Sequence, residues 1–337
     1  PLVLSHLGLE PLVEEVAKNY LWYLALGIIP LLLFSTIRSL FDALGLTKLS
    51  MYLMLLLLPL NGTFNYALIY GAFGFPEMGT KGAAVGTLVA RILELVIVVI
   101  YLIFADHKLK LFCKDFLHFT KEAFSRFFKI LWPSFLSNTL WALATPIQTG
   151  ILGRLSADAI AANSVSTTMF QYLKVITIGE ASASAVLIGT TIGENRGTTK
   201  VKEYSKTLQV IYLIIGSVLG ISLFFLRIPL LSLYDLTQNA YQMADQILII
   251  LSIVMVGMSY QMPTGIGIIK GGGDVKYMMY LNLISTWAIV MPLSFLGAFV
   301  WKLPVPMVVL LLNSDQLFKC IPTYLYVKKD KWIKVLV

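Results

Sequence analysis

Residues 59–87 read PLNGTFNYALIYGAFGFPEMGTKGAAVGT. An apolar run carries Asn61 and Asn65, a glycine-rich turn follows, and a second run opens on small residues. Asn61 and Asn65 are four apart, so a helix places them on one face. Polar amides inside an apolar helix need a partner or a cavity, because lipid offers neither. Many further stretches repeat this kind of apolar helix, and together they set the fold class.

Of the 337 residues, 58% are hydrophobic and 13% charged, with a mean hydropathy of +0.80. A soluble domain carries about 25% charged residues. The apolar residues also come in long blocks, which points to an all-α polytopic membrane protein. The net charge of +8 does not imply nucleic acid, because the basic residues sit at helix ends, as membrane topology demands. Cys113 and Cys320 have no metal or disulfide spacing, and His6, His107 and His118 are scattered. No metal or cofactor is expected, and no nucleotide motif is present.

A spanning helix needs about 20 mostly apolar residues. Nine candidates lie near 20–43, 50–72, 82–104, 129–153, 160–192, 207–233, 243–268, 277–300 and 303–327. The fifth is long, with Gly179 and Gly189 as places to break. Connections alternate between poor and rich in Lys and Arg, and eighteen of the 26 basic residues fall on the rich side. By the positive-inside rule that side is cytoplasmic, which puts the start of the chain outside and its end inside. Residues 105–128, basic and rich in Phe, divide three helices from six. They suit either an amphipathic helix on the inner leaflet or a plain linker.

A faint internal repeat runs through the chain. GLTKLSMYL after Phe41-Asp-Ala-Leu and GDVKYMMYL after Lys270-Gly-Gly share Gly, Lys, Met, Tyr and Leu at an offset that also carries Thr87 onto Asp315 and Arg91 onto Lys319. Six helices separate the two copies, as in the parallel repeats of transporters. A first half of six helices would then begin upstream of Pro1, so the chain reads as nine helices of twelve.

Three stretches resemble the bacterial type of the MATE (multidrug and toxic compound extrusion) family. They are Asn61 to Thr87 with its Gly74-Phe-Pro76-Glu-Met-Gly79 turn, Gly150-Ile-Leu-Gly-Arg154-Leu-Ser-Ala-Asp-Ala-Ile-Ala-Ala162, and Lys270-Gly-Gly-Gly-Asp274. The resemblance implies a two-lobe bundle of parallel six-helix repeats in the bacterial plasma membrane. Residues 1–104 would form an incomplete first lobe, 105–128 a cytoplasmic linker, 129–327 the second lobe and 328–337 a cytoplasmic tail. It further implies a monomer that exports organic cations, lipophilic drugs or toxic metabolites against H⁺ or Na⁺ by alternating access. Asn61, Asn65 and Thr87 match polar positions of the family's cation-linked network. Asn65 stands where many members have Asp, and the helix-one Asp has no counterpart.

Ionisable groups deep in a bilayer are costly, so each needs a reason. Glu180, among small residues with no base three or four positions away, reads either as an ion carrier or as a residue at the inner mouth paired with another helix. Glu94 with Arg91, and Asp315 with Lys319, read either as members of the cation-coupling network, Asp315 because it falls on Thr87 in the repeat, or as local neutralising pairs by their spacing; Arg38 with Asp42 reads as a structural pair. Lys174 has no local partner. Asn138, Trp141, Gln148, Gln171, Tyr260 and Gln261 read either as cleft residues, with the aromatics stacking on a flat cation, or as packing. The glycines of 265–273 lack a phosphate loop's ending and read as a tight turn. Rival functions are a lipid or lipid-linked oligosaccharide flippase, which would need a strongly basic cleft, and a membrane enzyme, which would need a catalytic cluster that is not visible.

Overall fold

The computed structural model describes residues 11–104, 120–194 and 197–334. Among these, helix is the only regular structure, and the chain divides into two compact units, 1–119 and 120–337. The expected linker is only partly described: residues 105–119 lie outside the described residues, and from Lys121 onward the chain is already helix.

In the first unit α1 (Pro11–Ala43), α2 (Thr47–Tyr70) and α3 (Gly79–Phe104) pack with α3 against both others. Its core is Phe34, Phe41, Leu53, Leu57 and Val98. The crossing of α2 and α3 depends on two glycines: a Cβ on Gly82 would sit 2.2 Å from the Leu68 carbonyl oxygen, and one on Gly86 would sit 2.6 Å from Asn65 Oδ1. The small residues seen in sequence therefore let two backbones approach closely, as in membrane helix pairs generally. Gly71, in the left-handed conformation at φ 68°, ends α2.

The second unit runs through α4 (Lys121–Gly153), α5 (Ala157–Gly193), α6 (Thr198–Leu231) and α7 (Gln238–Pro263). Beyond Pro263 the chain continues as a π-helix over Thr264–Lys270. Next comes α8 (Val275–Leu283), a second π segment (Ile284–Val290), α9 (Met291–Phe295) and a third π segment (Leu296–Val300). The last helix is divided into α10 (Val305–Asn313), α11 (Asp315–Phe318) and α12 (Cys320–Lys328). Helix α7 is the hub, packed by α5, α6, α10 and α11 around Met255, Ile247, Leu223 and Val308. Ser156 and Thr237 start α5 and α7 by accepting from the backbone N–H groups of Ala159 at 3.0 Å and Ala240 at 3.1 Å.

Seven helices among the described residues are long and apolar enough to cross a bilayer, where nine were expected. Helix α4 has the length but mixes Ser137, Asn138, Thr139, Pro133, Pro146 and Gln148 into its apolar residues. The final stretch is interrupted at Ser314 and Lys319. The break expected in α5 is absent: it runs unbroken, because Gly179 and Gly189 keep the helical ladder and neither meets a close neighbour. Interruptions fall instead after Pro263 and on both sides of Pro292, where a missing backbone N–H loosens the ladder.

The glycine run forms the turn expected of it. Gly273, at φ 101°, leads into Asp274, which caps α8 by accepting from Tyr277 N–H at 3.3 Å. The chain after α12 folds back onto this turn: Trp332 is fully buried, Lys334 N–H donates to the Gly272 carbonyl at 2.8 Å, and Lys334 Nζ lies 2.8 Å from Asp274. The Tyr326 hydroxyl donates to the same carboxylate. The stretch expected to be a cytoplasmic tail is, up to Lys334, packed back on this turn as a folded strap.

Candidate functional site: a donor-rich cavity in the second unit

The polar face that opened the sequence is real but self-contained. Asn65 Nδ2 donates to Asn61 Oδ1 at 3.0 Å, while Asn65 Oδ1 is buried without a partner. Thr87 turns its hydroxyl to its own helix, donating to the Ala83 carbonyl at 2.9 Å. Glu94 is buried and held by Arg91 at 2.7 Å, a local pair as its spacing implied. Arg38 and Asp42 pair at 3.8 Å.

In the second unit α4, α5 and the interrupted helices border a partly open cavity of about 350 Å³. Asn138 and Trp141 of α4, Lys174 of α5 and Gln261 of α7 line it, together with Asp315. The sequence named these five. The structure adds Lys270 from the first π segment, Asn282 from α8, Trp287 from the second π segment and Gln316 from the divided last helix, and it places Lys319, already named as the partner of Asp315, in the same wall. Three of the remaining candidates lie elsewhere. Gln148 and Gln171 do not line the cavity, and Gln171 is exposed on α5. Tyr260, a helical step from Gln261, points away and donates to Gln209 Oε1 at 2.7 Å in a groove beside α6 and α12.

The cavity's one carboxylate is fully engaged. Asp315 is buried and takes Lys319 Nζ at 2.7 Å, and Gln316 Nε2 donates to both its oxygens at 2.9 Å. Lys319 also donates to Asn282 Oδ1 at 3.1 Å, and Gln261 Nε2 to Gln316 Oε1 at 2.6 Å. Lys174 and Lys270 have no ion-pair partner among the described residues. Lys174 lies over the Trp141 ring at 5.7 Å. The indole N–H of Trp287, a residue of the wall, is buried without an acceptor.

Glu180 stands further along α5 and does not line the cavity. Both its carboxylate oxygens are buried and neither has a hydrogen-bond partner. Thr177 and Ser184 share its helix face. Thr177 pairs with the Ser259 hydroxyl at 3.1 Å, and Ser184 accepts from Tyr212. The first π segment presses on this face, where a Cβ on Gly267 would come 2.6 Å from Ser184 Cβ. Thr264 at the start of that segment also has a buried, unpartnered hydroxyl. This face of α5 therefore mixes satisfied hydroxyls with an orphaned carboxylate.

Long apolar helices, a partly open cavity lined in part by helix interruptions, and an unpartnered buried acid within a candidate span define a polytopic α-helical membrane protein built like a transporter. The MatE family profile matches residues 1–67 and 133–296, and the chain belongs to that family. It is 37% identical over 300 residues to "Probable multidrug resistance protein NorM" of Streptococcus pneumoniae, covering 87% of this chain and 64% of that protein. The protein of the same name from Halalkalibacterium halodurans is 31% identical over 301 residues, covering 88% and 64%. The chain thus spans 64% of the length of these relatives. The fold matches a MATE crystal structure in a straight conformation, with TM-score 0.85 and 18% identity over 97% of this chain and 72% of that one. It also matches a MOP superfamily transporter of Pyrococcus furiosus, with TM-score 0.87 and 18% identity over 99% and 74%.

Proposed function

We propose that the protein is a secondary active exporter of lipophilic small molecules, drugs or toxic metabolites, driven by inward movement of H⁺ or Na⁺. The basic connections and the strap at 329–334 face the cytoplasm of a bacterial plasma membrane, and the start of the chain faces outward. Family membership supports export, and the relatives' multidrug resistance names support the substrate class. The flippase reading finds no support among those names.

One observation carries the coupling: the Glu180 carboxylate is buried in α5 with neither oxygen partnered. An ionised carboxylate in that state is very costly, so the group holds a proton or a cation for part of the cycle. Exchange of that ion as the protein alternates between openings links ion entry to substrate exit. Asn61 and Asn65 cannot titrate, so they can order hydrogen bonds or ligate a cation but cannot carry the proton. Glu94 and Asp315 are engaged in ion pairs, which leaves Glu180 as the carrier among the three candidate acids of this chain.

The test is efflux from proteoliposomes holding the intact protein, with a panel of cationic, anionic and neutral fluorescent amphiphiles under imposed H⁺ or Na⁺ gradients. Extrusion of at least one class is expected, abolished by removing one of the two gradients. Glu180→Gln is expected to lower the coupled rate at least about tenfold, because the neutral amide cannot bind and release the ion. Wild-type rates in that variant sink the assignment of Glu180.

A further inference from the structure

The second-unit cavity is unbalanced in charge and holds one unanswered donor. Of its four charged residues, Asp315 is already claimed by Lys319 and Gln316. Neither Lys174 nor Lys270 forms an ion pair with a described residue, and Asp315, the acid whose charge acts on Lys174, is already held by Lys319. The buried Trp287 indole N–H is a donor that can never accept. Two amide acceptors of the wall are already used, Asn282 Oδ1 on Lys319 and Gln316 Oε1 on Gln261, and the other polar lining groups, the Asn138 and Gln261 amides and the Ser137 and Thr286 hydroxyls, carry no charge to offset the lysines. A wall with surplus positive charge and an unanswered indole donor is complementary to a ligand that brings acceptors and negative charge. The walls also hold two flat rings, Trp141 and Trp287, the first beside Lys174.

We propose that this cavity takes the carboxylate end of an aromatic anion or zwitterion, with Lys174 and Lys270 as its charge partners and Trp141 as the stacking face. An organic cation, the substrate type that the family resemblance implied, would meet two like charges here with no free carboxylate to answer it. The binding claim stands on the cavity alone; only the naming of its ligand as exported cargo rests on the export reading. The two lysines outside ion pairs come from α5 and from the first π segment. The irregular backbone at 264–270 thus does a specific job: it is the segment that carries Lys270 to the cavity.

The experiment is isothermal titration of the intact detergent-solubilised protein with a matched pair, naphthoate and naphthylmethylammonium, which share a ring system and differ in charge. Naphthoate is expected to bind at least about tenfold tighter. Lys174→Met and Lys270→Met are each expected to weaken naphthoate about tenfold and to leave the ammonium compound unchanged or tighter. Lys174→Arg, which keeps the charge, is expected to retain the preference and guards against a folding artefact. Equal or tighter binding of the ammonium compound overturns the proposal, as does naphthoate binding that both methionine variants leave intact. Inorganic pyrophosphate is the competing arm: if it displaces naphthoate at a lower concentration than naphthoate itself binds, the site is for a phosphate group and the aromatic carboxylate is wrong. Selective naphthoate binding without gradient-driven release from proteoliposomes supports the site and counts against export. Export of cationic amphiphiles at unchanged rates in both methionine variants, with no selective naphthoate binding, does the reverse.

Discussion

The α2–α3 pair of the first unit and the stretch from Val275 to Lys328 of the second start from the same sequence pattern and end as different devices. Both begin after a glycine with positive φ, Gly45 at 74° and Gly273 at 101°. In the first unit each helix of the pair is continuous. In the second, π segments interrupt one partner and turns at Ser314 and Lys319 interrupt the other. Gly86, whose lack of a side chain lets α3 press on Asn65, corresponds to Ser314; Thr87, which bonds its own helix, corresponds to Asp315. Where the copy keeps small residues it makes a tight helix pair. Where it trades them for Ser-Asp-Gln, the helix gives way and a cavity lining appears.

The largest expected effect tests the two ion pairs against each other. Asp315 and Lys319 are both buried, with side chains 11% and 5% exposed, whereas Arg91 of the first-unit pair is 33% exposed beside Glu94. Asp315→Ala leaves a buried ammonium unpaired and is expected to destabilise the second unit by about 3–5 kcal/mol. Glu94→Ala leaves a guanidinium that can reach solvent or headgroups and costs less. Thermal unfolding in detergent measures both, and a larger loss in Glu94→Ala breaks the contrast. Asp315→Leu combined with Lys319→Leu is expected to recover most of the loss, because removing both charges removes the unpaired one.

Much of this contrast could be read in the sequence and its decisive part could not. The repeat offset was visible because glycine, lysine and tyrosine identities survive at turns, where backbone geometry restricts the choice. The ion pairs were visible because their spacing is local. The π segments were not, because an inserted backbone residue leaves no mark on a helix that is apolar on every side. The cavity was half legible: Asn138, Trp141, Gln261 and Asp315 are polar or aromatic anomalies inside apolar runs. Lys270, by contrast, read as one more basic residue of a cytoplasmic turn, and Trp287 as an ordinary apolar one. Only the tertiary packing of α4, α5, α7 and α8 brings them to one wall.

The two turns that open the compared stretches give a smaller effect. Leu46 starts α2 with no side-chain cap, while Asp274 caps α8 and is also held by Lys334 and Tyr326. Burial alone would raise the Asp274 carboxyl; the hydrogen bonds from Lys334, Tyr326 and the Tyr277 N–H outweigh it and hold the group below the usual carboxylate range. A depressed carboxyl stabilises the fold above its unfolded pKa, and that stability is lost as pH falls through the folded value. Wild type is therefore expected to lose stability on acidification below about pH 4 in a step that Asp274→Asn lacks. At neutral pH, Asp274→Ala is expected to cost about 0.5–2 kcal/mol from the lost cap, with more if the strap detaches. Equal acid sensitivity in wild type and Asp274→Asn removes the turn from this account.

The smallest effect concerns the asparagines from which the polar face was first read. In the second unit their counterparts are Ile289 and Leu293, so the fold tolerates an apolar side chain at this place in the repeat. The bond from Asn65 to Asn61 lies within one helix, and even side-chain bonds between membrane helices average only about 0.6 kcal/mol. Because Asn65 Oδ1 is buried without a partner, replacing the residue also removes an unanswered acceptor. Asn65→Leu is therefore expected to shift stability by no more than about 0.6 kcal/mol in either direction. If the pair serves ion movement, the same variant lowers gradient-driven efflux while its melting temperature stays near wild type. A large fall in melting temperature would show instead that the amides hold α2 against the glycine face of α3. The polar face would then be packing, and the functional asymmetry between the two copies would rest on the second unit alone.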